Sequence, residues 1–301
     1  MTRILLFLAI LCPLAAGPYP GAAGSPGSDA IPKDDSSIVQ WVSGHLGYVP
    51  GSDVDAIWRT PAKAHGPAGT DTLHIVCLGD DGRITLYFPH PVMDGAGADF
   101  AVFENAFSDT FLELAFVEVS SDGVNFFRFP NSSLTAGAVG AFGNVDPTNL
   151  SGLAGKYRAG FGTPFDLAAL PVTPQLDKRH VRFIRLIDIK GNGNAKDSGN
   201  RSIYDPHPTT GSAGFDLDAI GVIHRNDGGF AIVHGAPVGG NFEIGWQSNP
   251  GNTYRLESGT TLDDWAPVQT IAGSVDRGIT SLSVPGGGDP KRFWRVVRLD
   301  D

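Results

Sequence analysis

Apolar and polar residues alternate with a period of two over short stretches along most of the chain, and clusters of Gly, Pro, Asn and Asp separate those stretches. In "DFAVFEN" (99–105) the alternation puts Phe100, Val102 and Glu104 on one face of a strand and Asp99, Ala101, Phe103 and Asn105 on the other. "TLHIVCLG" and "RITLYF" flank "DDG", and "LAFVEVS" and "NFFRF" flank "SDGV", so both pairs read as hairpins. "HVRFIRLIDI" is apolar on both parities apart from its two arginines, which suits a central strand covered on both sides. "GFDLDAIGVI" closes the series. The pattern predicts an all-β protein.

Two stretches break the rhythm. Asn131 to Leu170 has little strand pattern, and its Phe, Tyr and Leu predict an ordered excursion over one face or edge of the sandwich. Its aromatic residues Tyr157, Phe161 and Phe165, beside Asn149, Lys156 and Arg158, suit carbohydrate recognition, in which rings stack and polar groups fix orientation. The plainer alternative is that these rings pin the excursion to the sheet. The second stretch, Lys190 to Gly214, is polar and rich in Gly. Composition then changes near Asn226–Gly229. From Phe230 onward short strands at close spacing predict a second, smaller sandwich with Trp246, Tyr254, Trp265, Phe293 and Trp294 as its core.

Forty Gly and 22 Pro in 301 residues agree with many turns and short strands. At the N-terminus Arg3 precedes an apolar run from Ile4 to Leu11 and then small residues, the pattern of a secretory signal cleaved after Ala16 or Ala23. A lipid anchor on Cys12 is disfavoured by the bulky Leu11. The expected organisation is a signal over 1–23, a flexible leader over 24–35, a jelly-roll domain over 36–225 and a small β-sandwich over 229–301. Loss of the signal leaves Cys77 alone, so no disulfide within the chain supports the fold, and the core, a metal or both must do so. A net charge of −10 makes nucleic acid and anionic lipid poor partners. No other segment is long and apolar enough to span a membrane.

"VEVSSDGVNFFRF", "HVRFIRLIDI" and "GFDLDAIGVI" together resemble the strand series of discoidin-type, galactose-binding-like jelly rolls. More closely, "LGDDGRITLYFPHPVMDGAGADFAVFEN", "NLSGLAGKYRAGFGTPFDLA" and "GFDLDAIGVI" resemble a family of bacterial cell-surface proteins that often end in a sorting tail, over about Ile38 to His224. "FEIGWQSNPGNTYRLESGTTLDDWAPV" and "FWRVVR" resemble the fibronectin-like or immunoglobulin-like repeats of secreted bacterial proteins. The resemblance implies a fold and an address, secreted or at the bacterial cell surface or periplasm. It implies no reaction and no catalytic residues.

Chemistry must therefore come from the residues. Glu104 shares a face with two large apolar residues, so it needs a partner, a proton or a metal. An arginine on a neighbouring strand, Arg128, Arg182 or Arg185, is the plain solution; a metal held with Asp99 and Asn105 is the other. Asp216 and Asp218 stand two apart on one strand face and repel unless something positive lies between them. The stretch from Asp188 resembles a calcium loop but has Lys190 at a ligand position and Gly199 at the twelfth, so it fails as an EF-hand. Asp188, Asp197 or Asp205 could still join an irregular oxygen site. Calcium is the ion such residues suit, and zinc is not, because the histidines show no paired spacing. No G-x-S-x-G elbow is present, and Glu104, Glu113 and Glu118 offer only a loose glycosidase-like grouping. The sequence thus favours a noncatalytic, calcium-stabilised binder of an extracellular glycan, with a structural or adhesive surface protein and a polysaccharide hydrolase or lyase as alternatives.

Overall fold

A computed structural model of the chain describes residues 16–71, 73–226, 232–248, 252–273, 278–286 and 291–299. Most of the expected signal segment, with Arg3 and Cys12, and residues 227–231 of the expected domain boundary lie outside the described residues. Strand dominates, and helix is confined to four single 3-10 turns among the described residues. The chain divides into two compact units, 1–225 and 226–301.

The first unit begins with β1 (Ile31–Pro32), β2 (Gln40–Trp41), β3 (Gly44–Val49), β4 (Val76–Cys77) and β5 (Arg83–Val92). It continues with β6 (Phe100–Glu104), β7 (Ala115–Ser120), β8 (Phe127–Arg128), β9 (Ser132–Ser133) and β10 (Leu150–Ser151). It closes with β11 (Phe161–Phe165), β12 (Val181–Asp188), β13 (Asn192–Lys196), β14 (Ser202–Tyr204) and β15 (Asp216–Val222). Two antiparallel sheets form the sandwich. One runs β1-β11-β6-β15-β2 with β4 also on β15, and the other runs β3-β5-β12-β7-β8. The period-two pattern explains their stacking: Phe100, Val102, Leu217, Ile220 and Val222 of the first sheet share one buried core with Ile84, Leu86, Val117, Val119, Ile184 and Leu186 of the second. Glu104, one alternation beyond Val102, therefore points where that core would continue.

The hairpin across "SDGV" forms, with Glu118 opposite Arg128. The one across "DDG" does not. β4 pairs with β15 in the first sheet and β5 with β3 and β12 in the second, so "DDG" is a corner between sheets. Asp81 there has φ +61°, and the Gly82 amide donates to the Gly79 carbonyl. The strand 181–188 is central, with Ile184, Leu186 and Asp188 buried on one face, while Phe183, Arg185 and Ile187 on the other are half-covered.

The patternless stretch contains an interior strand. β11 lies between β1 and β6, hidden in the sequence by Gly162 and Pro164, which lower strand propensity. Gly162 is required where the chain packs on Ala101 and Phe103, and Pro164 sits beyond the reach of the two-residue β1, where β11 is an edge. The expected flexible leader over 24–35 is instead tied down. β1 pairs with β11, Asp29 accepts a hydrogen bond from the Tyr157 hydroxyl, and the Lys33 amide donates to the Gly160 carbonyl. A second core under the loops joins Leu112, Leu114, Phe116, Val145, Leu153 and Ile203.

The second unit adds β16 (Ile232–Val238), β17 (Asn241–Ser248), β18 (Thr253–Gly259), β19 (Ala266–Ala272), β20 (Gly278–Pro285) and β21 (Phe293–Leu299). They make two three-stranded antiparallel sheets, β16-β17-β20 and β19-β18-β21. Its core is Ile244, Trp246, Tyr254, Leu256, Val284 and Val296, with Trp294 partly buried against it. Trp265 and Phe293 do not belong. Phe293 neighbours Trp294 on the same strand, and alternation turns it outward.

Candidate functional site

Three connections of the first unit converge on one cavity of about 150 Å³: the β6–β7 loop, the excursion before β10 and the β14–β15 loop. Phe107, Phe111 and Phe142 form its rim. Their rings stack in sequence, with centroids 4.8 and 6.3 Å apart, and Phe107 and Phe142 are 72 % and 86 % exposed. Glu113 and Asp216 form the floor, with Thr209 and Ser212 beside them. Glu113 is aimed there by its neighbours. Leu112 and Leu114 are both buried in the second core, and Gly155, at φ +86°, lies so close that a Cβ would stand 1.9 Å from the Glu113 carbonyl oxygen. Asp216 opens β15 between the buried Phe215 and Leu217.

Glu113 and Asp216 are 5 % and 8 % exposed, and Glu104, close behind them, is 2 % exposed. The Thr209 hydroxyl beside Glu113, and the Cys77 thiol and Ser212 hydroxyl beside Asp216, each favour the charged form of the carboxyl they face. Even so, Glu113 Oε1 and Asp216 Oδ1 are inaccessible to solvent and have no hydrogen-bond partner. Burial pushes all three carboxyls up. For Glu104 and Glu113 the charge on Asp216 adds to the effect, and Asp216 itself reaches about 7. Burial also pushes the Cys77 thiol up, so it stays protonated and serves as a donor. The negative field continues inward. Asp205 repels Glu113 and is itself raised by burial and by the charges of Asp188 and Asp80. Among the described residues a cation arrives at Asp80, the Lys190 ammonium at 2.6 Å.

The arginines expected for Glu104 go elsewhere. Arg128 and Arg185 both bond Glu118, at 2.8 and 3.6 Å. Glu104 Oε2 accepts from the Ala106 amide at 2.8 Å, and no ion pair of the described residues includes it. Asp216 and Asp218 do not converge. The β15–β6 register shifts between Leu217 and Ala219, and Asp218 turns to the Gly69 amide at 2.8 Å, near His74 and Lys33. Asp188 ties two loops to its strand, accepting from the Phe215 amide at 2.7 Å and the Asp81 amide at 3.1 Å. Asp205 takes the Leu114 amide and Asp197 the Ser133 and Arg201 amides. Asn105 is buried, and its own amide donates to the Asp216 carbonyl.

Asp99 belongs to a different group. One oxygen each of Asp94, Asp99 and Asp166 lie within 4.8 Å of one another, yet Asp99 is filled by the Gly95 and Leu167 amides and His224 Nδ1. The residues of the excursion that were expected to bind sugar act as fastening. Tyr157 is buried and bonded to Asp29, Phe165 stacks on Phe100 at 5.3 Å in the core, and Asn149 closes a 3-10 turn. Arg158 lies 4.4 Å over the Phe161 ring and pairs with Asp109. Lys156 is buried too, at a separate cavity of about 170 Å³ with Asp29, Phe129 and Thr163, where burial pulls its ammonium down. His45 and His65, far apart in sequence, place ring nitrogens 3.0 Å apart, with no third metal-ligating side chain gathered round them among the described residues.

Sequence reasoning therefore reached Glu104 and Asp216 as ligands but weighed Glu113 only as an acid, and missed Phe107, Phe111, Phe142 and Thr209. The signals were local: "LEL" flanks Glu113 with two core residues, and "NAFSDTF" and "GAFGN" hold phenylalanines in turn-forming stretches, where burial does not call for them.

No protein-family model matches the chain, and no curated protein matches it. Among solved structures, a beta-1,2-glucanase from Parabacteroides distasonis aligns with 86 % of this chain at 11 % identity and a TM-score of 0.24. The alignment covers 35 % of the glucanase chain, and at that TM-score it carries no argument about fold or function.

Proposed function

We propose that this is an exported binding protein whose phenylalanine-rimmed pocket takes a carbohydrate. The observation that carries the reading is the pairing of three stacked Phe rings, the outer two exposed, with two buried carboxyls that each keep one oxygen without a partner. Rings of this kind cover the apolar face of a sugar, while carboxyl oxygens take its hydroxyls. An acidic floor in a chain of net charge −10 turns away anionic ligands. Calorimetry against a panel of neutral oligosaccharides tests it: binding should weaken about tenfold or more in Phe111→Ala, and affinity untouched by that change, or absent from the whole panel, rejects the pocket.

A second reading rests on Asp216, which burial brings to about 7 beside the raised Glu113. An acid near neutrality next to a second carboxyl suits proton transfer to a glycosidic oxygen. Release of reducing ends that stops in Asp216→Asn would favour a hydrolase over a binder.

Export follows from the N-terminal signal pattern. The Gly17 amide donates to the Thr148 hydroxyl and the Tyr19 hydroxyl to Ser132, so cleavage after Ala16 keeps contacts that cleavage after Ala23 removes. N-terminal sequencing of exported protein should begin at Gly17; a start at Gly24 overturns this choice.

A further inference from the structure

We infer that Glu113 and Asp216 hold a hard divalent cation, calcium by its chemistry, on the floor of the pocket, with the Thr209 and Ser212 hydroxyls beside it and Glu104 adding charge from behind. The inference goes beyond the carbohydrate reading and does not need it.

The unpartnered oxygens carry the inference. A buried carboxylate oxygen with no donor is costly, and this floor has two, on residues that are 5 % and 8 % exposed. Other buried carboxylates of the same unit are served from the protein itself. Asp188 and Asp99 accept pairs of backbone amides, and Asp197 accepts amides and Arg201. At Glu113 and Asp216 the described residues supply hydroxyls and one thiol but no ammonium, guanidinium or backbone amide. Something positive from outside the chain is the missing partner.

The donor set points to calcium. Two carboxylates and two hydroxyls are hard oxygen ligands, and calcium takes six to eight oxygens in flexible geometry, leaving positions toward the cavity for water or a ligand's hydroxyls. The Asp94, Asp99 and Asp166 group is the rival acidic cluster. There the oxygens of Asp99 are already occupied by amides and His224, and Asp166 caps the 3-10 turn at 167–169.

The full chain, stripped with chelator and shown by elemental analysis to be metal-free, should bind one calcium by calorimetry. Its first unfolding transition should rise by about 5 °C or more at a hundredfold excess over the Kd. Glu113→Gln should abolish that rise and melt higher than the parent in chelator, because an amide escapes the cost of ionising or protonating a carboxylate at that buried position. Asp94→Asn should leave the rise intact. No heat and no shift in metal-free protein overturns the inference, as does a shift that survives both Glu113→Gln and Asp216→Asn. A rise lost in Asp94→Asn places the ion at the rival cluster, and a response to zinc but not calcium assigns a soft cation that uses Cys77; either result overturns it. Sugar binding that persists in chelator leaves the carbohydrate reading standing while the cation fails, so the two are separable.

Discussion

Glu257 in the second unit and the Glu113–Asp216 floor in the first show two ways of holding a carboxylate away from water. Glu257 sits on β18, with Arg255 two residues earlier and Arg295 directly opposite on β21, at 2.7 and 2.6 Å. Hydrogen bonds from Arg295, and then from Arg255, hold its carboxyl below the usual range, and Arg295 is itself braced over the Trp265 ring. This solution needs only strand alternation and register. The first unit uses it as well, where Glu118 lies opposite Arg128. At the floor of the pocket it does not, although arginines stand on nearby strands. The lesson is that the floor is not the residue of a fold that lacks cations. Glu113 comes from the β6–β7 loop and Asp216 opens β15 opposite Cys77, so neither stands in register with an arginine, and both line a cavity.

That difference can be broken first through the backbone. Gly155→Ala forces a Cβ into the Glu113 carbonyl at a positive φ, and should cost the first unit about 3 kcal/mol or more from overpacking and left-handed strain. Thermal unfolding should show that loss in the first transition and none in the second. An unchanged first transition would mean that Glu113 is not held in place by this contact.

Asp188→Asn is the next largest change and carries a pH signature. The side chain now accepts from the Phe215 and Asp81 amides, and an amide group can serve only one of them, so about 1–3 kcal/mol should be lost at pH 7. Burial, aided by Asp80 and Asp81, raises the Asp188 carboxyl in the folded state, so the fold binds its proton more tightly than the unfolded chain does. Its contribution is complete below the unfolded value near 3.9 and is lost as pH rises toward the folded one. In chelator the parent's first unit should therefore gain stability on acidification from pH 7 to pH 5. The Asn variant should gain less, and equal slopes would remove Asp188 from the account.

Arg295→Met sharpens the comparison from the other side. It leaves Glu257 with one arginine instead of two, so the second transition should fall, and adding Glu257→Gln should recover part of the loss. A double variant no better than the single one would show that Arg295 acts through its packing on Trp265 rather than through charge.

Much of this was legible in the chain and the rest was not, for reasons that divide along the same line. Strand alternation exposed Glu104 as misplaced, because a period of two is local and the two sheets obey it. The same rule misled at Asp216 and Asp218, where a shift in register on β15 separates neighbours that alternation would pair. It also could not find β11, whose Gly and Pro are tolerated only because Ala101 and Phe103 press on one and an edge frees the other. The pocket depends on which loops meet, a long-range fact carried by the second core through Leu112, Leu114 and Val145. The long stretches were readable as places where function gathers, but their most conspicuous aromatic residues, Tyr157 and Phe165, are fasteners, and a lone Phe142 between two glycines reaches the rim.

Phe142→Ala is expected to have the smallest effect on stability and is the cleanest test of that last contrast. The ring is 86 % exposed and meets Phe111 at 6.3 Å, so its removal should change stability by no more than about 0.5 kcal/mol. Tyr157→Phe, by comparison, deletes the hydroxyl that reaches Asp29 and should lower the first transition measurably. If the pocket binds a carbohydrate, the two variants should part in opposite directions: Phe142→Ala keeps its melting point and loses affinity, while Tyr157→Phe loses melting point and keeps affinity. A ring that can be removed with no loss of either has no role at the rim, and the stack would then reduce to Phe107 and Phe111 alone.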